Sequence, residues 1–300
     1  LFWDASDYAR RAITNSELMV YGGYSESDTG DIVQILELEG EGTLAGMKYS
    51  FPLPRFWSLS HTLALGMEWQ NVKNIIQFGQ ANLGQDINKF PLYLRWSGTR
   101  KDSSGQTNLS AGVRWQQDSF IGHFDEDAYD SARNGVKPSY TSYNLGMQRK
   151  QKLPLGWTGV VDGGFQFSED RLPPSEQYSF GGYDDVRGYR NRVIISDQSF
   201  VLRAEARTPT LDKKFFPASW DEQIQFLGFT DYGYASNNDA GSAELDNDSL
   251  LGVGVGMRAS MFDSALQARL DTGVGMMDID ATQRDEAGNV IFHFGIEYTY

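Results

Sequence analysis

The 300-residue sequence lacks several residue types and patterns that would point to common protein classes. It has no cysteine, which excludes disulfide bridges and thiolate metal ligands. The excess of 40 acidic over 26 basic residues gives a net charge of -14, which argues against a nucleic-acid partner held by electrostatic attraction. No run of 18 apolar residues occurs, so membrane-spanning helices are not expected.

Motifs for catalysis or metal binding are also missing. The three histidines, His61, His123 and His293, show no HExxH or paired-ligand spacing, so we predict no metal site and no cofactor. There is no G-x-S-x-G elbow and no phosphate-binding glycine loop. The acidic segment 276–289 lacks the spacing of an EF-hand, and we interpret it as a solvated loop. We therefore predict that the chain is not an enzyme.

Alternation of apolar and polar residues fills most of the sequence instead. In the C-terminal stretch IFHFGIEYTY, every second residue from Phe292 onward is aromatic or aliphatic. This period of two is typical of β-strands with two different faces. Similar runs lie near 17–27, 33–52, 57–71, 88–98, 107–117, 139–150, 156–168, 199–207, 223–234, 249–260 and 266–274. They predict an all-β chain of about twelve strands, most of them long enough to cross a bilayer at a tilt.

The connections favour a membrane barrel over a soluble sheet. Tight connections follow residues 52, 152 and 260, whereas long polar ones occupy 118–137, 169–192, 237–248 and 276–290; the long connection 208–222 breaks this alternation. Short turns at one rim and long loops at the other are typical of outer-membrane barrels. Tryptophan and tyrosine near the strand ends favour the same interpretation. A soluble antiparallel sandwich or barrel also alternates and stays open as an alternative.

We therefore predict a transmembrane antiparallel β-barrel formed by residues 1–300 as one domain. A short helix is possible at 4–12, and nothing longer has a helical period. The start of the sequence has no basic region followed by an apolar core, so we interpret it as a mature chain or an excised domain rather than a signal peptide.

One stretch, LPPSEQYSFGGYDDVRGYRNRVIISDQSFVLRAEARTPT at 172–210, concentrates glycine and charge. Its notable residues are the pair Gly181 and Gly182, the tetrad Val186, Arg187, Gly188 and Tyr189, and then Glu205 and Pro209; Asp231 and Gly233 follow in FTDYGYAS. This order of motifs closely resembles the signature of the two-partner secretion transporters, also called TpsB or haemolysin-activator/filamentous-haemagglutinin transporters. These transporters belong to the superfamily of BamA-type assembly factors. GMKYSFPLP at 46–54 and the aromatic last strand extend the resemblance.

The resemblance implies a sixteen-stranded barrel in the bacterial outer membrane, with a long loop folded into its lumen. In that arrangement Arg187 pairs with Asp231, near Glu205, and the glycines allow the loop to fold back. The family's plug helix and two periplasmic POTRA domains are not recognisable here. We expect these parts to lie elsewhere in the full-length protein. The difference between about twelve strands and the family's sixteen leaves two explanations open: some strands are merged in this count, or the first barrel strands lie elsewhere.

The function implied is translocation of a large secreted partner, a TpsA-like haemolysin or haemagglutinin exoprotein, through a monomeric barrel surrounded by outer-membrane lipids. The loop with its VRGY tetrad would stabilise or gate the pore. An assembly factor of the BamA or TamA kind, which inserts other barrels into the outer membrane, is the alternative. A passive porin would give no reason for the tetrad, and a soluble all-β binding protein is the remaining possibility.

Overall fold

The computed structural model describes residues 15–33, 36–78, 81–82, 85–120, 123–211, 223–241, 244–262, 265–279 and 287–299. Nearly all regular structure in these ranges is β-strand. No helix of this part of the chain is long and apolar enough to span a membrane. The possible helix at 4–12 and most of the long connection 208–222 lie outside the described residues.

The strands follow one another as antiparallel neighbours in a large sheet. They are β1 (Glu17–Val33), β2 (Leu36–Pro52), β3 (Leu59–Phe78), β4 (Ala81–Asn82), β5 (Gln85–Lys89), β6 (Leu92–Asp102), β7 (Gly105–Gln116), β8 (Tyr140–Lys152), β9 (Thr158–Phe167), β10 (Tyr178–Phe180), β11 (Ile194–Ser196), β12 (Gln198–Arg207), β13 (Gln223–Ser236), β14 (Asn247–Met261), β15 (Leu266–Gly275) and β16 (Val290–Tyr298). The sheet order is β1-β2-β3-β6-β7-β8-β9-β12-β13-β14-β15-β16, with β4 and β5 paired to β3. The prediction of an all-β chain with about twelve main strands is confirmed.

Alternation along each strand separates a polar face from an apolar face. On β13, Leu227, Phe229 and Asp231 are buried, whereas Phe226 and Tyr234 between and beyond them are exposed. On β16, His293 is buried, and Phe292 and Phe294 on either side are about two-thirds exposed. Exposed aromatic residues at alternate positions of these strands are typical of a lipid-facing surface.

Contacts group the chain into two compact units, and the single-domain assignment stays a prediction. The first unit comprises residues 1–98, 110–144 and 167–177. It contains α1 (Glu126–Ala132), whose first turn is capped by the Asp125 carboxylate accepting a hydrogen bond from the Ala128 N–H. Tyr129 of this helix packs with Ile87 and Val136 in a small buried cluster.

The second unit comprises residues 99–109, 145–166 and 178–300. Its buried cluster combines residues of the connection between β9 and β12 with residues of the strands: Phe180, Val186, Tyr189, Ile194, Val201, Ala235, Leu250 and Ile279. Since β9 and β12 are hydrogen-bonded neighbours, this long connection leaves and re-enters the sheet at adjacent strands. Between them the chain is free to fold back onto the polar face of the sheet.

The two faces of the sheet predict different responses to a new charge. We expect Leu202→Arg, on the apolar face, to lower the free energy of unfolding in lipid vesicles by about 2–4 kcal/mol, because a guanidinium near the bilayer midplane loses its hydration. Gln267→Arg on β15 is the matched control, since Gln267 borders a polar cavity. Equal losses for both variants in a urea-titrated folding equilibrium would contradict the assignment of the faces.

Candidate functional site

The signature loop, defined as residues 168–197, carries the tetrad that the sequence singles out. It contains the two-stranded hairpin of β10 and β11, in which Phe180 pairs with Ile194. Gly181 and Gly182 follow β10 with φ of +110° and +95°, a region that favours glycine. A Cβ at Gly182 would lie 1.9 Å from the Asn191 side-chain oxygen. The Gly-Gly pair is therefore what lets the loop turn after the hairpin strand.

Arg187 is fully buried and makes a bidentate ion pair with Asp231. Its Nε lies 2.6 Å from Asp231 Oδ2 and its Nη2 lies 2.8 Å from Oδ1. The Arg187 backbone N–H also donates to Asp231 Oδ2, at 3.1 Å. Two parallel charge-assisted hydrogen bonds fix both the distance and the orientation of the guanidinium. The structure thus brings together the two residues that the resemblance pairs.

Further groups surround the same guanidinium. Its Nη1 donates to Glu205 Oε1 at 2.6 Å and lies 3.5 Å from Asp271 Oδ2. The Arg187 Cζ stands 3.6 Å from the centroid of the Phe229 ring, a cation–π contact. Burial alone would lower the pKa of Arg187, but the hydrogen bond and charge of Asp231, with Glu205 and Asp271, raise it, so the side chain stays charged.

The carboxylates around Arg187 depend on it to different degrees. Glu205 also accepts from Arg207, at 2.6 and 2.8 Å, and Asp271 also accepts from Arg258 and Arg269, at 2.7 Å each. Among the described residues, Asp231 has only Arg187 as a cationic partner. Removal of Arg187 would therefore leave Asp231 buried without a counter-charge, which is the costly case for an ion pair.

Glycines of the sheet make room for the tetrad. A Cβ at Gly252 on β14 would lie 1.7 Å from the Arg187 carbonyl oxygen, and one at Gly273 on β15 would lie 2.6 Å from the Gly188 nitrogen. Gly188 itself has a φ of +97°, and a Cβ there would lie 2.6 Å from the Val274 carbonyl carbon. Gly233 is similarly close to Phe180. The backbone of the loop thus lies directly against the sheet.

The other two members of the tetrad fasten the same segment. Val186 is fully buried in the cluster that contains Phe180. The Tyr189 hydroxyl lies 3.1 Å from the Leu251 carbonyl oxygen and 3.0 Å from the Met277 carbonyl oxygen, and it accepts from the Met277 N–H at 3.0 Å. Every residue of the tetrad therefore contacts the strands or their ends.

The two aspartates before the tetrad differ from each other. Asp184 is exposed and lies 3.4 Å from Arg269, whereas Asp185 accepts a hydrogen bond from the Tyr178 hydroxyl at 2.7 Å. Burial raises the pKa of Asp185, and the Tyr178 hydrogen bond and the charge of Arg203 oppose that rise. Asp185 thus stabilises the hairpin internally, and Asp184 faces the polar cavity lined by Arg269.

Sequence reasoning placed part of this site and missed the rest. The structure brings Gly181, Gly182, Val186, Arg187, Gly188, Tyr189, Glu205, Asp231 and Gly233 into one region of the second unit. It adds Asp271, Phe229, Gly252 and Gly273. The alternation puts Asp271 on the polar face, but only the antiparallel register of β12 to β15 brings it beside Glu205 and Arg187.

Comparisons with known proteins show which family and which folds the chain is similar to. Residues 38–259 match the family model described as haemolysin secretion/activation protein ShlB/FhaC/HecB. Among solved structures, CdiB from Escherichia coli superposes with a TM-score of 0.75 at 15% identity, over 94% of this chain and 50% of that chain. CdiB from Acinetobacter baumannii gives 0.65 at 14% identity, over 95% and 47%.

A third structure, BamA from Haemophilus ducreyi lacking POTRA domains 1–3, gives a TM-score of 0.56 at 11% identity, over 95% of this chain and 62% of that chain. At these identities the likeness shows the fold, which is that of the outer-membrane barrels. The chain spans about half the length of the CdiB chains. A search of curated protein sequences gave no match.

The close approach at Gly188 gives a direct test of the site's geometry. We expect Gly188→Ala to displace the tetrad, because its Cβ would overlap the Val274 backbone and its φ is strained for alanine. Gly288→Ala is the matched control, since Gly288 also has positive φ but has no atom within 4 Å of an added Cβ. Protease digestion of the folded protein should cut the signature loop faster only in Gly188→Ala. Similar digestion of both variants would contradict the close packing.

Proposed function

Since the chain belongs to the haemolysin secretion/activation protein family, whose members are outer-membrane barrel proteins of bacteria, we propose that it is the barrel domain of a pore that exports a secreted partner protein. The family is one of transporters rather than enzymes. The partner would be a TpsA-like exoprotein of the haemolysin or haemagglutinin kind. The barrel acts as a single polypeptide within outer-membrane lipids.

The polar face of the second unit supports a hydrophilic path for an unfolded chain. A cavity of about 790 Å³ opens beside the strand arginines that pair with Glu205 and Asp271. Its lining includes Arg207, Arg258 and Arg269 and Gln223, Gln225 and Gln267, together with Phe294 and Ile296. The guanidinium and amide groups can hydrogen-bond to the backbone and polar side chains of a passing polypeptide.

The signature loop is the element we propose to stabilise or gate that path. Its position depends on a buried guanidinium that satisfies Asp231 and shares Glu205 and Asp271. Such a buried ion pair is stable when both partners are in place, and separation of the partners leaves a buried charge unpaired at a high cost in free energy. The loop therefore favours two discrete states over gradual motion. The single observation that carries the proposal is the bidentate Arg187–Asp231 pair under complete burial.

The alternative is an assembly factor of the BamA or TamA kind, which would use the same tetrad. The family match and the higher TM-scores of the two CdiB structures favour the secretion branch. An exoprotein gene beside the gene for this protein would support export. Insertion of unrelated barrels by the purified protein would support assembly.

Replacement of Arg187 tests the export proposal. We expect Arg187→Ala in the full-length protein to abolish secretion of the partner while the barrel still inserts into the outer membrane, because one partner of a buried ion pair is lost at a cost of about 3–5 kcal/mol. Immunoblotting of culture supernatant and outer-membrane fractions measures both. Arg190→Ala, which changes an exposed arginine of the same loop, should secrete normally.

Wild-type secretion by Arg187→Ala would contradict the proposal that the loop stabilises or gates the export path. Absence of the Arg187→Ala protein from the outer membrane would also contradict it, because the account separates insertion from export.

A further inference from the structure

The signature loop makes a second buried ion-pair contact before it reaches the tetrad. Glu176, which follows the two prolines of the loop, belongs to the first unit together with Lys89 and Arg114. The Lys89 Nζ lies 2.6 Å from Glu176 Oε1, and the Arg114 Nε lies 2.9 Å from Glu176 Oε2. Ser175, also in the loop, lies 2.7 Å from the same Lys89 Nζ. Two consecutive loop residues therefore contact one lysine of β5.

The ion pair between Lys89 and Glu176 is buried, so the lysine needs the glutamate as its counter-charge. The Lys89 side chain is completely buried, and that of Glu176 is 7% exposed. An ammonium group removed from water is stable only with a counter-charge close by. Within the described residues, Glu176 is the carboxylate that forms an ion pair with Lys89. Without it, the Ser175 hydroxyl would be the remaining direct partner of the lysine.

Arg114, the second cation beside Glu176, also pairs with a carboxylate of the strands. Arg114 lies 2.5 Å from Glu68 on β3, and Glu68 also accepts from the Tyr21 hydroxyl and the Gln70 amide. Two cations, Lys89 and Arg114, thus face two carboxylates, Glu68 and Glu176. The loop contributes one of the two carboxylates, so withdrawal of this part of the loop leaves the strands with an excess positive charge in a buried place.

We propose that Glu176 is a second positioning residue of the signature loop, which fastens the segment 172–177 through Lys89 and Arg114 independently of the tetrad. The two attachments have opposite sign. At Glu176 the loop supplies an anion to buried cations, and at Arg187 it supplies a cation to buried anions. Either attachment can open while the other holds, so the loop has a partly released state. The proposal rests on the proposed function for its link to export.

Cysteine labelling separates the two attachments, because these 300 residues contain no cysteine and any cysteine elsewhere in the full-length protein is first replaced by serine. Leu172 and Val186 are both fully buried, one near each attachment. In the full-length protein, single variants Leu172→Cys and Val186→Cys report release of each segment by their rate of reaction with a maleimide. A buried cysteine reacts only when its segment opens, so the rate follows the open population.

We expect Glu176→Gln to raise labelling at residue 172 by about tenfold or more and to leave labelling at residue 186 within about twofold, since one partner of a buried pair is lost at one attachment only. Secretion should fall by a similar factor. Glu176→Asp, which keeps the charge, should restore much of both. Glu169→Gln is the matched control, because Glu169 is an exposed carboxylate of the same loop, and it should change neither reading.

Three results would overturn the proposal: unchanged labelling at residue 172, an equal rise at both cysteines, or increased labelling at residue 172 with wild-type secretion. If Glu176→Gln does not insert, the double variant E176Q K89M, which leaves no unpaired lysine charge, takes its place; labelling at residue 172 should still rise, by a smaller factor, because the ion pair that holds the segment is gone. Wild-type labelling and secretion by that variant would equally overturn the proposal. Failure of the proposed function gives a different result, which is wild-type secretion by Arg187→Ala.

Discussion

The guanidinium of Arg187 is the group on which the organisation of the second unit depends. It is completely buried, and it satisfies Asp231 with two parallel hydrogen bonds while it also contacts Glu205 and stands over the Phe229 ring. A buried charge is tolerated only with well-placed partners, so this one residue fixes the relation between the loop and strands β12, β13 and β15. Gly252 and Gly273 serve the same arrangement, because only residues without a Cβ leave room for the Arg187 and Gly188 backbone against the strands.

The loop supplies partners to two buried charges of the strands. Glu205 and Asp271 also have strand arginines as partners, but within the described residues Asp231 depends on Arg187 and Lys89 depends on Glu176 for a counter-charge. The loop completes both clusters, with Arg187 in one and Glu176 in the other. In the proposed export function, a loop attached at two points would keep the pore closed between clients and would be released in steps.

Much of this organisation could be predicted from the sequence, for identifiable reasons. Alternation over long segments predicts strands because side chains of a strand point to opposite faces, and it puts Asp231 and Asp271 on the polar face. The pairing of Arg187 with Asp231 was implied by the resemblance to the transporter family. Glu176 with Lys89, and Gly252 beneath Arg187, could not be predicted, because alternation gives the face of a residue but not its cross-strand register. Strands β10 and β11 have three residues each, which is too few to show the alternation of apolar and polar residues.

The most direct test of the central claim is a double-mutant cycle on the folding equilibrium of the barrel in lipid vesicles, with Arg187→Gln, Asp231→Asn and the double variant. If the two side chains stabilise the fold through each other, the free energies of unfolding will be non-additive by about 1.5–3 kcal/mol, because the second change costs little once the first is made. Additive losses, within about 0.5 kcal/mol, would show that Arg187 does not act through Asp231 and would contradict the account.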